Sequence, residues 1–352
     1  MRIVNATLLI VRSSRRTAVC LLVSVFCFLP SAYGSGWFRQ PSGTMAWLHA
    51  VYFLNNNHGW VAGSGGTLLE TKDGGESWKR ILTLTRDTLE DVYFADERIG
   101  WLIAQRDPLT LKTNEEVRSY LLKTEDGGAT WRAIMQSGPD ANSSLVHAMF
   151  ANAECGWVFG ESGVVFATTD GGAHWTRQTS PSKYLLLGGT FIDSAHAWLA
   201  GAGATVLQTD NGGLSWQSGI VRNARGTRFN AISFVGNRLG WAVGAAGHIF
   251  ATTDGGRNWF PQQSPANIDL LDVKFVDASD GWAAGKEGLL LHTIDGGSHW
   301  MAESSVTSHT LERLFLTDRS HGWAVGFGGT ILSLSEVRAP RLNDNRSALT
   351  KP

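Results

Sequence analysis

The sequence predicts an all-β protein, a β-propeller of seven blades, from three observations. A Gly-Trp motif, once varied to Ala-Trp, occurs seven times, and most successive tryptophans are 41 residues apart. A second motif, Thr-x-Asp-Gly-Gly-x-x-Trp with one Asn variant, follows each of the first six copies. Each unit holds four short apolar runs separated by Gly and Asn clusters, and none has a sustained helical period. Four short strands per repeat of about forty residues are typical of a propeller blade.

The Gly-Trp motif is expected on the second strand of each blade. Its tryptophans are Trp60, Trp101, Trp157, Trp198, Trp241, Trp282 and Trp323. An apolar side chain stands seven positions earlier in every unit: Phe53, Phe94, Phe150, Phe191, Phe234, Phe275 and Leu316. This regular recurrence favours packing between neighbouring sheets, because a ligand site rarely has sevenfold symmetry. A stack of aromatic rings that binds a ligand is the alternative.

The Asp motif falls where a hairpin must join the third strand to the fourth. Its acidic position is held by Asp73, Asp126, Asp170, Asn211, Asp254 and Asp295. Such a side chain can accept hydrogen bonds from the turn, and the following glycines tolerate positive φ. We therefore expect a structural clasp, the Asp box of sialidase-like propellers. A row of metal-binding or catalytic carboxylates is the alternative, but one residue per blade keeps the carboxylates apart. No metal or cofactor is predicted.

The N-terminal strand is expected to close the ring. The seventh unit has no Asp motif and therefore lacks a fourth strand of its own. Trp37 precedes Trp60 by 23 residues, the same distance that separates Trp78 from Trp101. Residues 37–40 are thus in register with a fourth strand. The predicted propeller spans residues 35–338, and residues 339–352 form a C-terminal tail.

Residues 1–34 have the order of an export signal. Arg12, Arg15 and Arg16 precede an apolar run over residues 18–29, and small residues stand before a cleavage point after Gly34. An uncleaved anchor is the alternative, although the run is shorter than the roughly 20 residues of a membrane span. The paired arginines also hint at twin-arginine export. The periplasm is the predicted location.

Composition excludes several classes of protein. The formal net charge of −1 over 352 residues disfavours a general nucleic-acid binder. The chain has three cysteines, Cys20, Cys27 and Cys155, and two of them lie in the predicted signal. A disulfide scaffold and a cysteine zinc site are therefore both excluded.

Function is expected where the repeat breaks its own pattern. One spacing of 56 residues marks an insertion at residues 105–117 between the second and third strands of blade two. It should project from the face opposite the Asp boxes, which also carries the linkers between blades. Basic residues lie in these segments: Arg86, Arg106, Lys183, Arg222, Arg225 and Arg228. The insertion is mixed in charge, and Asp87, Glu90 and Asp140 dilute the basic patch. The last three could bind a carboxylate or an acidic peptide through guanidinium forks. The alternative for the insertion and for the cluster is a solvated loop.

No catalytic set stands out in the sequence. Sialidases need a tyrosine beside a carboxylate and a trio of arginines. Tyr52 and Tyr93 occupy equivalent apolar strand positions and are interpreted as structural. Tyr120 and Tyr184 remain, but no arginine trio can be assigned to either. We therefore predict that the protein is not an enzyme.

The combined pattern resembles the photosystem II stability/assembly factor family. The resemblance rests on L-x-x-V-x-F, Gly-Trp and the Asp motif, repeated behind an export signal over about residues 36–338. It implies a non-enzymatic propeller, in the thylakoid lumen if the source is photosynthetic, that assists assembly of a membrane complex by binding a protein. A partner with an acidic or carboxylate-bearing segment, a monomeric state and at most peripheral membrane association are expected. A carbohydrate-active propeller, hydrolase or glycan-binding, and a generic envelope scaffold are the alternatives.

Overall fold

The seven repeats form seven antiparallel sheets in the computed structural model. It describes residues 35–336 except 108, 110, 113–116, 136–142 and 225. The predicted export signal, the tail and Arg225 lie outside these residues. The all-β propeller is confirmed, with short 3-10 turns as the helical elements within the described residues.

Each blade is built outward from an inner strand. The inner strands are β2 (Leu48–Phe53), β6 (Thr88–Phe94), β10 (Leu145–Phe150), β14 (Leu186–Phe191), β19 (Phe229–Val235), β23 (Leu270–Phe275) and β27 (Leu311–Leu316). The second strands are β3 (Gly59–Gly63), β7 (Gly100–Gln105), β11 (Gly156–Gly160), β15 (Ala197–Gly201), β20 (Leu239–Gly244), β24 (Gly281–Gly285) and β28 (Gly322–Gly326). The third strands are β4 (Thr67–Thr71), β8 (Ser119–Thr124), β12 (Val165–Thr168), β16 (Thr205–Thr209), β21 (Ile249–Thr252), β25 (Leu290–Thr293) and β29 (Thr330–Glu336).

Most outer strands are shorter and more exposed than the strands inside them. They are β5 (Lys79–Ile81), β9 (Arg132–Met135), β13 (Thr176–Arg177), β17 (Gln217–Ser218), β22 (Asn258–Gln262), β26 (Met301–Glu303) and, in blade seven, β1 (Ser35–Gln40). Blade five departs from the predicted four strands. Its fifth strand, β18 (Ile220–Val221), runs parallel to β22. The linker from blade four is long enough to follow this outer edge, where the amides of Ile220 and Arg222 donate to backbone carbonyls of Arg257 and Trp259.

The Gly-Trp tryptophans pack between blades, as predicted. Trp60 stacks on Phe94 of the next blade with ring centroids 3.7 Å apart, and Trp241 stacks on Phe275 at 3.5 Å. The motif glycine makes room for the aromatic side chain of its own blade. A Cβ on Gly59 would lie 2.4 Å from the Phe53 ring. The repeated motif is therefore a packing device, because each blade inserts rings into the space beside its neighbour.

The N-terminal strand closes the ring in the predicted register. β1 pairs antiparallel with β29, and Trp37 lies opposite Leu334. Trp37 is 4% exposed and packs edge-on against Trp282 of blade six at 5.3 Å. Gln40 then reaches blade one, where its Nε2 donates to the Gly74 carbonyl over 3.2 Å. The strand thus links blade seven to both of its neighbours.

Loops on the two faces of the ring follow the predicted alternation. The loop after the first strand lies beside the Asp box, since the Gly74 amide donates to the Asn57 carbonyl. The turn between the second and third strands lies beside the linker to the next blade, since the Gly66 amide donates to the Asp87 carbonyl. We call these surfaces the Asp-box face and the linker face.

Candidate functional site

The Asp boxes have the geometry of a hairpin clasp. In the first box, Asp73 Oδ1 accepts from the Thr71 hydroxyl at 2.7 Å and from the Ser77 amide at 2.9 Å. The Ser77 hydroxyl donates to the other carboxylate oxygen. Hydrogen bonds from Ser77 and Thr71 lower the pKa of Asp73 to about 2. Among the described residues no three His, Cys, Asp or Glu side chains are arranged to hold a metal ion.

Four boxes also accept a hydrogen bond from the preceding blade in the ring. The indole of Trp198 donates to the Gly255 carbonyl at 2.8 Å, and that of Trp241 donates to the Gly296 carbonyl at 2.9 Å. Trp157 and Trp323 make the same contact with Gly212 and Gly74. The box carbonyl therefore helps to fix the position of one blade on the next, which supports the structural interpretation.

Alanine in place of Asp73 is expected to lower the free energy of unfolding by about 1–3 kcal/mol, because three acceptor contacts disappear. Asp73→Asn should lower it less, because Asn211 already accepts from Thr209 and Ser215 in the same way. The carboxylate stabilises the fold above its unfolded pKa of 3.8, and this contribution disappears as the pH falls through about 2. Urea denaturation of both variants near neutral pH provides the measurement. Equal losses for Ala and Asn would contradict the clasp.

The two faces differ sharply in charge. Loops of the Asp-box face carry fifteen Asp and Glu side chains and five Lys and Arg. The described loops of the linker face carry five acidic and eight basic side chains. The Asp-box face is therefore strongly acidic and repels an anionic partner, whereas the described linker face has a small excess of basic side chains, which Glu115, Glu116 and Asp140 in the same sequence segments reduce.

Arg222 and Arg228 lie at opposite edges of the blade-five sheet. The Arg222 guanidinium stacks over Phe260 of the outer strand at 5.6 Å. Arg228 lies by the inner strand, where it donates to Asn230 at 3.0 Å and pairs with Asp269 at 3.4 Å. The two described arginines of the predicted cluster thus lie far apart along a radius of the ring and have different partners.

The other predicted basic residues lie on separate loops. Arg86 and Lys183 are exposed on the linkers that follow blades one and three. Arg106 is half-buried at the base of the insertion, with its guanidinium 5.8 Å from the Tyr120 ring. The described residues therefore show a dispersed basic face with no convergent arginine pocket.

Tyr120 lies beside a carboxylate and an arginine, neighbours that could not be assigned to it from the sequence. Its hydroxyl donates to Asp87 at 2.6 Å, and Arg106 lies over its ring. Burial and the Asp87 hydrogen bond raise the pKa of Tyr120 to about 12. A nucleophilic tyrosine needs the opposite shift, because the phenolate is the reactive form. Tyr184 is 59% exposed on a linker.

The central channel contains a hydrogen-bonded chain that the sequence analysis missed. Arg313 of blade seven donates to His147 Nε2 of blade three over 2.7 Å. The other ring nitrogen of His147 lies 2.6 Å from Asp91 of blade two. Since Arg313 is a donor, the His147 proton lies on Nδ1 and is donated to Asp91. Although burial raises the pKa of Asp91, its contacts with His147 and Arg313 hold it below the usual value.

More ionisable groups surround Arg313. Burial raises the pKa of Glu90 to about 7 and also raises that of Glu312. Burial and the nearby Arg313 charge lower the pKa of His49 to about 4. One Glu312 carboxylate oxygen and Arg313 Nε are buried without a hydrogen-bond partner among the described residues.

A shared backbone irregularity positions this cluster. Every inner strand has a register shift near its start, where one residue has no partner on the second strand. In blades one, two and seven this residue is His49, Glu90 and Glu312. Such bulges redirect side chains. A comparison of the repeats could have revealed this cluster from the sequence. Blades one, two and seven have ionisable residues at the position where other blades have Val146, Leu187 and Leu271.

Solved structures share this architecture. YCF48 from Cyanidioschyzon merolae has a TM-score of 0.69 and 21% identity, covering 85% of this chain and 98% of that one. A structure titled YCF48 bound to D1 peptide has a TM-score of 0.68 and 22% identity, covering 86% and 94%. A GH74 xyloglucanase from Xanthomonas campestris reaches 0.64 with 14% identity, covering 84% and 53%. At these identities the likeness concerns the fold.

The sequence relatives carry the same name as the two YCF48 structures and not that of the xyloglucanase. The photosystem II assembly lipoprotein Ycf48 of Synechococcus sp. strain CC9902 is 35% identical over 101 residues, which are 28% of this chain and 26% of that protein. Its namesake from Nostoc sp. strain PCC 7120 is 26% identical over 179 residues, 49% of each chain. The chain thus spans between a quarter and a half of the curated relatives it matches.

A family model matches the whole ring. The model is described as photosynthesis system II assembly factor YCF48, and it matches residues 30–116, 77–185, 181–264 and 259–336. These segments include all seven blades and the closing strand. They favour the predicted assembly-factor family over the carbohydrate-active alternative. The chain belongs to the photosystem II assembly factor YCF48 family.

Proposed function

We propose that this protein is an exported, non-enzymatic propeller that binds a protein subunit and assists assembly of a membrane complex. The family match along all seven blades carries the proposal. A similar solved propeller is titled as bound to D1 peptide, so the fold can present a surface to a peptide. The raised pKa of Tyr120 and its single arginine neighbour support a binding role over sialidase-type catalysis.

The linker face is the proposed binding surface. Its excess of basic side chains suits an acidic or carboxylate-bearing segment, whereas the acidic Asp-box face repels one. Arg222, Arg225 and Arg228 form the centre of the proposed contact, and Arg86, Lys183 and Arg106 extend it. The spread of Arg222 and Arg228 across the blade favours an extended segment over a single carboxylate.

Export to the periplasm, or to the lumen of a photosynthetic membrane, is part of the proposal. Relatives named as lipoproteins support a position at a membrane surface. In this chain Cys20 follows Val19 and Cys27 follows Phe26, without the small residue that precedes a lipidated cysteine. We propose a monomer, because the N-terminal strand satisfies the open edge of blade seven within the same chain.

Charge reversal of Arg222, Arg225 and Arg228 to Glu is expected to reduce partner recovery from the source membrane, most strongly at low salt. The matched control reverses Arg98, Arg238 and Arg257 on the Asp-box face, where each donates to a backbone carbonyl. Co-purification followed by mass spectrometry compares the two variants, and circular dichroism verifies their folding. Equal recovery by both variants would remove the arginine cluster from the proposed site.

A further inference from the structure

The linker face carries a group of strongly exposed apolar side chains. We call Met45, Trp47, Leu82, Leu84, Leu109 and Phe327 the apolar sector. The exposed fractions of Leu82, Leu84 and Leu109 are 84%, 88% and 93%, and that of Met45 is 82%. Monomeric proteins rarely expose apolar side chains together in this way, so such a patch indicates an interaction.

The sector occupies consecutive loops of blades seven, one and two. Phe327 lies on a turn of blade seven, Met45 and Trp47 precede blade one, Leu82 and Leu84 precede blade two, and Leu109 lies in the insertion. The Trp47 and Phe327 rings meet edge to face at 5.4 Å. Exposed apolar residues in loops of the Asp-box face, such as Leu214 and Ile294, are fewer and lie on separate boxes.

The loops that carry the sector are held in place by backbone hydrogen bonds. The Ser64 amide donates to the Trp47 carbonyl at 2.8 Å, and the Gly329 amide donates to the Ala46 carbonyl at 2.7 Å. The Thr83 hydroxyl, between Leu82 and Leu84, donates to the Gly66 carbonyl at 2.9 Å. Met45, Trp47, Leu82, Leu84 and Phe327 therefore project from loops held by hydrogen bonds, and little order has to be gained when these side chains become buried.

Charge indicates the kind of surface that covers the sector. Arg86 is exposed two residues after Leu84, and Arg106 and Lys112 lie on either side of Leu109, although Asp87 and Asp107 stand next to Arg86 and Arg106 and reduce the local positive charge. The opposite face is strongly acidic. A protein charged in this way is oriented by an anionic surface, with the linker face inward.

We propose that the apolar sector inserts into the interfacial region of an anionic lipid bilayer and turns the Asp-box face toward water. Apolar side chains presented by several separate loops suit a fluid interface, into which each loop can insert independently. Protein hot spots instead occupy packed pockets. Lipid binding goes beyond the proposed capture of a protein. The apolar side chains of the sector lie on blades seven, one and two, whereas Arg222 and Arg228, at the centre of the proposed protein contact, lie on the linker between blades four and five; Arg86 and Arg106 border both surfaces.

Sedimentation with vesicles tests this proposal. The vesicles contain phosphatidylcholine and phosphatidylglycerol in equal parts, or phosphatidylcholine alone. The double variant Leu82→Ser, Leu84→Ser is compared with Leu214→Ser, whose leucine is 82% exposed on the Asp-box face. All proteins share one N-terminus, so any contribution of residues 1–34 cancels. We expect the double variant to bind anionic vesicles about tenfold more weakly or worse, from the loss of two inserted side chains, and Leu214→Ser to bind like the unchanged protein.

Fluorescence quenching gives a second measurement. Trp47 is the exposed tryptophan among the fifteen in the chain, all of which lie in described residues. Brominated lipids should quench part of the emission of the unchanged protein, and this part should be missing in Trp47→Phe. The proposal is overturned by undiminished binding of the double variant, by equal weakening in Leu214→Ser, or by binding that does not depend on phosphatidylglycerol. Absence of vesicle binding also overturns it and assigns the sector to a protein contact.

Discussion

Deletion of residues 35–43 is expected to lower the melting temperature strongly and to cause aggregation. The deletion removes β1 and leaves the edge of β29 unpaired, and unpaired edges are templates for association between chains. It also removes Trp37 from the contact with Trp282 and Gln40 from the contact with Gly74. Both neighbouring blades therefore lose a contact with blade seven.

Two point variants separate the ring closure from a general effect of truncation. Trp37→Ala should lower the free energy of unfolding by about 3–5 kcal/mol, because a buried indole is lost. Phe38→Ala on the same strand should have a much smaller effect, because Phe38 is 43% exposed. Denaturant titration with light scattering measures stability and aggregation. Unchanged unfolding of the deletion, or equal effects of the two point variants, would show that β1 does not close the ring.

Arg313→Met should be strongly destabilising, and the size of the effect should depend on pH. Arg313 links blade seven to blade three through His147, and its charge favours the ionised form of the buried carboxyl groups of Glu90 and Glu312. Without it these groups lose their compensating charge. Removal of one partner from a buried ionic network typically lowers stability by about 3–5 kcal/mol.

The direction of the pH dependence follows from the raised pKa of Glu90. In the folded protein Glu90 holds its proton up to about pH 7, whereas the unfolded value is 4.5. The folded state therefore binds more protons between these values, and stability falls as the pH rises through this window. Arg313→Met raises the pKa further, so the loss should be larger near pH 8 than near pH 5.

A second substitution provides the control for this prediction. Glu90→Gln removes the carboxyl group that charges at high pH, so it should recover part of the stability of Arg313→Met near pH 8 and little near pH 5. Urea denaturation at the two pH values gives all four comparisons. A loss independent of pH would mean that Arg313 does not stabilise the charged form of Glu90.

The fold could be predicted from sequence wherever the repeat supplied many copies of one signal. The spacing of Trp37 from Trp60 placed β1 correctly, because four other units have the same distance of 23 residues between the corresponding tryptophans. The Asp boxes were equally clear, because Asp, Gly and Trp each have a defined task in one hairpin. β18 was not predicted. Its pairing with β22 depends on the length of the linker from blade four and not on a residue pattern.

The candidate sites were harder to predict, because they depend on single residues brought together by the ring. Arg313, His147 and Asp91 are far apart in sequence and meet only when blades seven, three and two surround one channel. The density of Arg222 and Arg228 in sequence suggested a cluster, yet the linker crosses the blade between them. The difference in charge between the two faces could be counted only after the strand order had assigned each loop to a face.

Site-specific photo-cross-linking in the source membrane tests the central claim most directly. A photoreactive side chain is placed at the exposed position of Lys183 on the linker face, and in a second protein at that of Ala173 on the Asp-box face. The account predicts a covalent adduct with a subunit of a membrane complex from the Lys183 position and none from the Ala173 position. An adduct from the Asp-box face alone, or the same adducts from both positions, would contradict a protein-binding linker face.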